Sequence, residues 1–168
     1  MWIKCSDSPT PRSYHSTVVL GKRIYIYGGI QKSIFSKSFY HDDPDIWVYD
    51  INQKQLLKYI NTKNNFSSKF LSNNLIATNG PITHSRCRAT LFSMNGNLAI
   101  LGGSERFYEL IEFFFINECK WVHLRIKEMP NIESPAIYVV KSKGLFVIGK
   151  NNKEDKLYIG LIKERENI

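Results

Sequence analysis

Two glycine doublets, Gly28-Gly29 and Gly102-Gly103, each close a short apolar run, and they limit what this chain can fold into. The runs they close, Ile24 to Tyr27 and Leu98 to Leu101, are each preceded by another apolar run, Ser16 to Leu20 and Ala89 to Met94. Gly21-Lys22-Arg23 separates the first pair of runs and Asn95-Gly96-Asn97 the second, which makes each pair a hairpin. Val18, Val19, Ile24, Tyr25, Ile26 and Tyr27 are β-branched or aromatic and favour a pleated, packed surface over a helix. Glycine at both corner positions permits positive φ and the close approach of a neighbouring strand. The pattern is therefore a hairpin followed by a backbone corner, made twice.

Each hairpin is followed by further strand-like runs. Ile46 to Tyr49 and Leu56 to Ile60 follow the first, and Leu110 to Ile116 and the segment around Trp121 follow the second. Four such strands form one antiparallel sheet, too small to stand alone in water. A third, weaker unit reads Ala136 to Val140, a turn through Ser142-Lys143-Gly144, Leu145 to Ile148, and Leu157 to Ile162. In it Gly149-Lys150 takes the place of the doublet, and no Trp-bearing fourth strand follows.

The ordered set Arg12, His15, Gly28, Gly29, Trp47, Tyr49 and Asp50 resembles the kelch repeat, one blade of a β-propeller. The second unit repeats it with Arg86 or Arg88 in the place of Arg12, then Gly102, Gly103 and Trp121. Leu56 stands where the family has a Trp in the first unit, and Phe114 replaces the Tyr in the second. The resemblance implies an all-β chain, a kelch-type β-propeller fragment of about three four-stranded antiparallel blades. Residues 1–11 read as an outer strand carrying Trp2, 12–60 as blade one and 61–80 as an inserted Asn- and Ser-rich loop. Residues 81–128 read as blade two and 129–168 as a degenerate blade three. An outer strand at the start and a missing one at the end suggest a ring closed from elsewhere, either by a second copy giving a six-bladed homodimer or by another polypeptide covering a split propeller.

The chain has 168 residues, enough for one domain with a real core, and its 43% hydrophobic content excludes wholesale disorder. No apolar run approaches the roughly 20 residues needed to cross a bilayer. No leader sequence is evident, and Cys5, Cys87 and Cys119 form no CxxC pair, so reduced thiols in a cytoplasmic or nuclear protein are expected. A net charge of +8 permits contact with RNA or an anionic membrane surface, but no tract of consecutive Lys or Arg appears. Aromatics do not alternate with the basic residues as base-stacking platforms would require.

Candidate chemistry is sparse. His15 with Arg12 invites a catalytic reading, but both fall on the kelch pattern, where such groups resemble structural ties from one blade to the next. His41 with Asp42, Asp43 and Asp45 could hold a hard cation, yet charged residues around Pro44 more often form a solvated turn. No nucleophile elbow, phosphate-cradling loop or metalloprotease motif is present, so no catalytic, cofactor or metal residue is assigned. Kelch proteins are mostly protein-binding adaptors, and the resemblance implies a protein partner. The expected contact surface is the long loop from Ile30 to Asp45, through Lys32, Phe35, Lys37, Tyr40, His41 and Asp43. Arg12, Arg86 and Arg88 are expected at the same end. The competing classes are a kelch-like propeller enzyme or tRNA-modification subunit and a basic RNA- or membrane-surface binder.

Overall fold

A computed structural model describes residues 11–32, 39–41, 46–61, 75–81, 84, 86–103, 108–140, 144–151 and 153–163. Every regular element among them is a strand. The first sheet contains β1 (Ser16–Leu20), β2 (Arg23–Tyr27), β5 (Ile46–Asp50), β6 (Gln55–Asn61) and β7 (Leu75–Thr78), in that order. The second contains β8 (Ala89–Met94), β9 (Asn97–Gly102), β10 (Leu110–Phe115) and β11 (Lys120–Arg125). The third contains β12 (Glu133–Val140), β13 (Gly144–Asn151) and β14 (Lys156–Ile162). The expected hairpins, corners and three-unit order are all present. The second sheet has the four strands expected and the third the three that its sequence offers, while the first has five where four were expected.

Two stretches expected to be irregular carry strands. Leu75–Thr78, inside the Asn- and Ser-rich segment, pairs parallel with β6 from Lys58↔Leu75 to Asn61↔Thr78. Thr78 fixes it further by donating its hydroxyl to the Ile60 carbonyl at 3.0 Å. The loop after Gly29 holds a ribbon of β3 (Ile30–Lys32) and β4 (Phe39–His41), paired Ile30↔His41 through Lys32↔Phe39. The ribbon is anchored to the first sheet by the Ser13–Ile30 bridge, with Ser13 and Ile30 each donating an N–H to the other's carbonyl at 3.0 and 2.8 Å.

The three sheets stack face to face with their first strands β1, β8 and β12 adjacent. Strand periodicity sends alternate residues to opposite faces, and the stack uses both. Tyr25, Tyr27, Ile46, Val48 and Tyr59 leave the first sheet to meet Leu91, Leu98, Ile100, Phe114 and Trp121 of the second. The opposite face of the second sheet sends Phe92, Ala99, Leu101 and Ile111 to Leu145 and Val147 of the third. The middle sheet is therefore buried on both sides, and Leu98, Ala99, Ile100 and Leu101 are all fully buried. Phe114 links the ring systems at the first joint, 4.9 Å from Tyr59 and 4.8 Å from Trp121 between centroids. Such edge and tilted pairings add to simple area burial.

The glycine doublets set the spacing of the stack. Gly29 donates its N–H to the Arg86 carbonyl at 2.9 Å, and Gly103 donates to the Ile132 carbonyl at 3.2 Å. All four doublet glycines have positive φ. A second seam follows the first strands. The Arg88 N–H donates to the Tyr14 carbonyl at 3.0 Å and the Ser134 N–H to the Arg88 carbonyl at 2.6 Å. Tyr14, Arg88 and Ser134 share a left-handed backbone with φ of 57, 58 and 46°. They are equivalent points of three successive units, and the unit that ends at β11 thus begins just before β8.

Candidate functional site

The most concentrated polar chemistry among the described residues lies between the first and second sheets. The chain leaves β7, touches the rim of the second sheet, and runs inward through His84 and Arg86 to β8. At the rim the Asn79 N–H donates to the Cys119 carbonyl and the Trp121 N–H to the Asn79 carbonyl, both at 2.8 Å. This crossing carries His84 and Arg86 past Glu112 of β10, which is fully buried. The alternation that points Phe114 and Trp121 at the first sheet also points Glu112 and its cross-strand partner His123 there.

Glu112 is the hub. His84 Nδ1 lies 2.6 Å from its Oε1, and the His84 backbone N–H donates to the same oxygen at 3.2 Å. The Arg86 guanidinium is 3.5 Å from that oxygen and His123 Nε2 is 3.4 Å away. The Tyr27 hydroxyl donates to Oε2 at 3.4 Å and also to the His84 carbonyl. A buried carboxylate is tolerated only when paired and hydrogen-bonded, and Glu112 has both. Burial pushes the His123 pKa below that of an ordinary histidine, the nearby Glu112 opposes that shift, and His84 and Arg86 reinforce it.

His84, Glu112 and His123 offer ligand atoms within 4.8 Å of one another, the atom types of a transition-metal site. The guanidinium of Arg86 already supplies a cation at the carboxylate, and its Nη1 donates to the carbonyls of Gly102 at 3.0 Å and Leu110 at 3.2 Å. The arrangement is a neutralised tie between sheets: backbone of the first sheet to the Arg86 carbonyl, and guanidinium of Arg86 to the backbone and carboxylate of the second.

The residues singled out in the sequence fall in different places. Arg12 donates to the Gly28 carbonyl at 3.3 Å, the counterpart of Arg86 donating to Gly102. Arg86, not Arg88, therefore occupies the place of Arg12. Arg86 was expected on a partner-binding surface; at 1% exposure it presents nothing to a partner, because its charge is spent on Glu112 and two carbonyls. Arg88 is partly exposed, pairs with Glu133 at 2.7 Å, and lies over the Tyr14 ring at 4.7 Å. Its positive charge is held more firmly than usual, chiefly by the Glu133 hydrogen bond. His15, expected to tie one unit to the next, is exposed beside Gly29 of its own sheet. Tyr14 and Arg88 make that connection instead.

Trp121 packs in the first joint as expected. Trp47 and Tyr49 lie on the outer face of the first sheet, half-buried, with the Lys58 ammonium 5.0 Å from the Trp47 ring. Lys32, Tyr40 and His41 lie on the backbone of the β3–β4 ribbon. Phe35, Lys37 and Asp43 lie outside the described residues, as does the Trp2 strand. Cys87 and Cys119 are present as thiols, and Cys5 is outside the described residues. Sequence reasoning missed Glu112, and along the sequence His84 and His123 stand isolated; the structure brings all three together. The available signal was a single acid inside the apolar run Leu110 to Ile116, which a strand can bury only with a partner.

The family model described as the kelch motif matches residues 11–54. The chain carries a kelch repeat. The matched kelch residues are those that build the Arg12–Gly28 tie, the first doublet and β5. The second and third sheets lie beyond that match; with the first they make an all-β chain in sheets of five, four and three strands, a fragment of a kelch-type β-propeller. The chain is also similar to the Rho GTPase-activating protein gacHH of Dictyostelium discoideum, 27% identical over 101 residues. That match covers 59% of this chain and 5% of the relative, so the chain corresponds to a small part of that protein. No helix among the described residues is long and apolar enough to cross a membrane.

Proposed function

We propose that this chain is a non-enzymatic protein-interaction module whose contact surface is the end of the kelch blades where the glycine doublets turn. The observation that carries this reading is the β3–β4 ribbon, joined to the rigid first blade at the Ser13–Ile30 bridge immediately beyond Gly29. Binding residues concentrate on loops held by rigid scaffolds. Kelch repeats commonly mediate protein contacts, and the ribbon is the added element of this repeat. The buried Arg86–Glu112 tie supports the same reading, since its groups are engaged in holding blades together. A cleft of about 230 Å³ exists elsewhere, lined by Met129, Ile132, Val147 and Tyr158, with none of that cluster's groups in it. The likeness to a GTPase-activating protein covers too little of that protein to bring its activity here.

The test is affinity capture with the wild-type chain and with the double variant Lys32→Glu/Lys37→Glu, retained proteins being compared by mass spectrometry. A protein held by the wild type and released by the variant is the expected result. Identical retained sets would remove the ribbon from the interface.

A further inference from the structure

Glu112 and His123 stand directly opposite each other on β10 and β11, so the pleat holds both side chains on one face. The connector into β8 brings His84 to the same place, its ring 5.4 Å from that of His123 between centroids. His84 Nδ1 is 2.6 Å and His123 Nε2 is 3.4 Å from Glu112 Oε1, and the three atoms lie within 4.8 Å of one another. The tie between sheets accounts for Arg86 and for the carboxylate, but not for the second histidine. His123 Nε2 is buried and has no hydrogen-bond partner among the described residues. A buried polar atom in that state calls for a reason.

We propose that His84, Glu112 and His123 bind one divalent transition-metal ion of the zinc type, which cross-links the connector to the second blade. Two imidazole nitrogens with one carboxylate oxygen suit zinc and its neighbours, whereas calcium and magnesium demand more oxygen than the cluster offers. An ion about 2.0 to 2.2 Å from each of three ligands in a tetrahedral arrangement holds them about 3.3 to 3.6 Å apart. The 3.4 Å between His123 and Glu112 already has that value. The 2.6 Å contact between His84 and Glu112 has to open by about 1 Å or less. His84 is the member able to shift, because it lies on the connector and its side chain is 27% exposed. The same exposure gives an ion its way in from solvent.

The surroundings support such a ligand set and also bound its strength. The other carboxylate oxygen, Oε2, accepts from the Tyr27 hydroxyl at 3.4 Å, the kind of outer hydrogen bond that keeps a ligating carboxylate oriented. Arg86 opposes the ion, with its guanidinium 3.5 Å from Oε1. Its shorter contacts run to the Gly102 and Leu110 carbonyls at 3.0 and 3.2 Å, so the carboxylate keeps capacity for a second cation. The neighbouring charge makes this an exchangeable ion, whose occupancy adds stability in proportion to its supply. Neither the ribbon nor an outside protein takes part, so the metal site stands or falls separately from the proposed interaction role.

The experiment is isothermal titration calorimetry with zinc ions alone on the whole chain and on His84→Ala, His123→Ala and His15→Ala, with far-ultraviolet circular dichroism confirming that each keeps its strand content. One zinc per chain is expected for the wild type and for His15→Ala, which removes an exposed histidine outside the cluster. Each cluster variant is expected to bind at least about tenfold more weakly. Zinc should raise the thermal midpoint of the wild type and leave those of the cluster variants in place, and calcium and magnesium should produce no binding heat. His84→Ala keeps the main-chain N–H that donates to Glu112 at 3.2 Å, so it tests the site independently of how well His123→Ala folds. A wild type that binds no zinc would overturn the proposal. So would His84→Ala binding as tightly as the wild type, or binding that is lost in His15→Ala.

Discussion

The N–H of Gly29 and the carbonyl oxygen of Arg86 meet at 2.9 Å, and a Cβ added to the neighbouring Gly28 would lie 2.1 Å from that same oxygen. The obstacle is backbone, which cannot rotate aside. Gly28→Ala is therefore expected to cost about 2 to 4 kcal/mol, from the left-handed φ and the forced separation of the two blades together. Gly96 also has positive φ, at 76°, but nothing lies within 4 Å of its added Cβ. Gly96→Ala should cost only about 1 kcal/mol. Urea denaturation of both variants checks this, and equal losses would show that backbone strain alone, without the blade contact, sets the cost.

Arg86 and Glu112 should prove strongly coupled. Arg86→Met leaves a buried carboxylate without its guanidinium and is expected to cost about 3 to 5 kcal/mol. Adding Glu112→Gln removes the stranded charge, so the double variant should be more stable than Arg86→Met alone. A double-mutant cycle reads the coupling directly. Additive losses would mean that the 3.5 Å separation between the two groups contributes little.

Acid should weaken the same region. Burial lowers the folded-state pKa of His123 below its ordinary 6.5, so the unfolded chain takes up that proton first. The contribution is then intact above about pH 6.5 and is lost as pH falls below it. Urea midpoints measured from pH 8 to pH 5 should be flat and then decline, and His123→Phe should flatten the decline. An unchanged slope in the variant would assign the acid sensitivity to other groups.

Arg88 should matter less than its sequence neighbour. Its pairing with Glu133 is at 39% side-chain exposure, and exposed pairs contribute about 1 kcal/mol or less. Arg88→Ala is expected to shift the thermal midpoint slightly while Arg86→Met shifts it severely. Comparable shifts would show that the exposed pairing, or the stacking on Tyr14, holds the inner seam.

What could be read from the sequence was what is local. The hairpins at Gly21 and Gly96, and the corners at Gly28-Gly29 and Gly102-Gly103, follow from alternation and turn chemistry over a dozen residues. Strand β7 was hidden because its partner β6 supplies the pairing, while its own neighbours are Asn and Ser. The ribbon after Gly29 was hidden for a similar reason, lying in a mixed stretch without alternation. The Glu112 cluster joins residues from the connector, β2, β10 and β11. Tyr27 and Glu112 are 85 positions apart, and only the stacking of two sheets brings them together. Choosing between Arg86 and Arg88 likewise needed the hydrogen bond to Gly102.

The seam through Tyr14, Arg88 and Ser134 runs in one direction, each later residue donating to the carbonyl of the earlier one. The doublet seam runs the other way, Gly29 and Gly103 each donating to a carbonyl later in the chain. Neighbouring blades therefore exchange donor and acceptor in both directions, and neither seam can be lost without leaving groups of both blades unpaired.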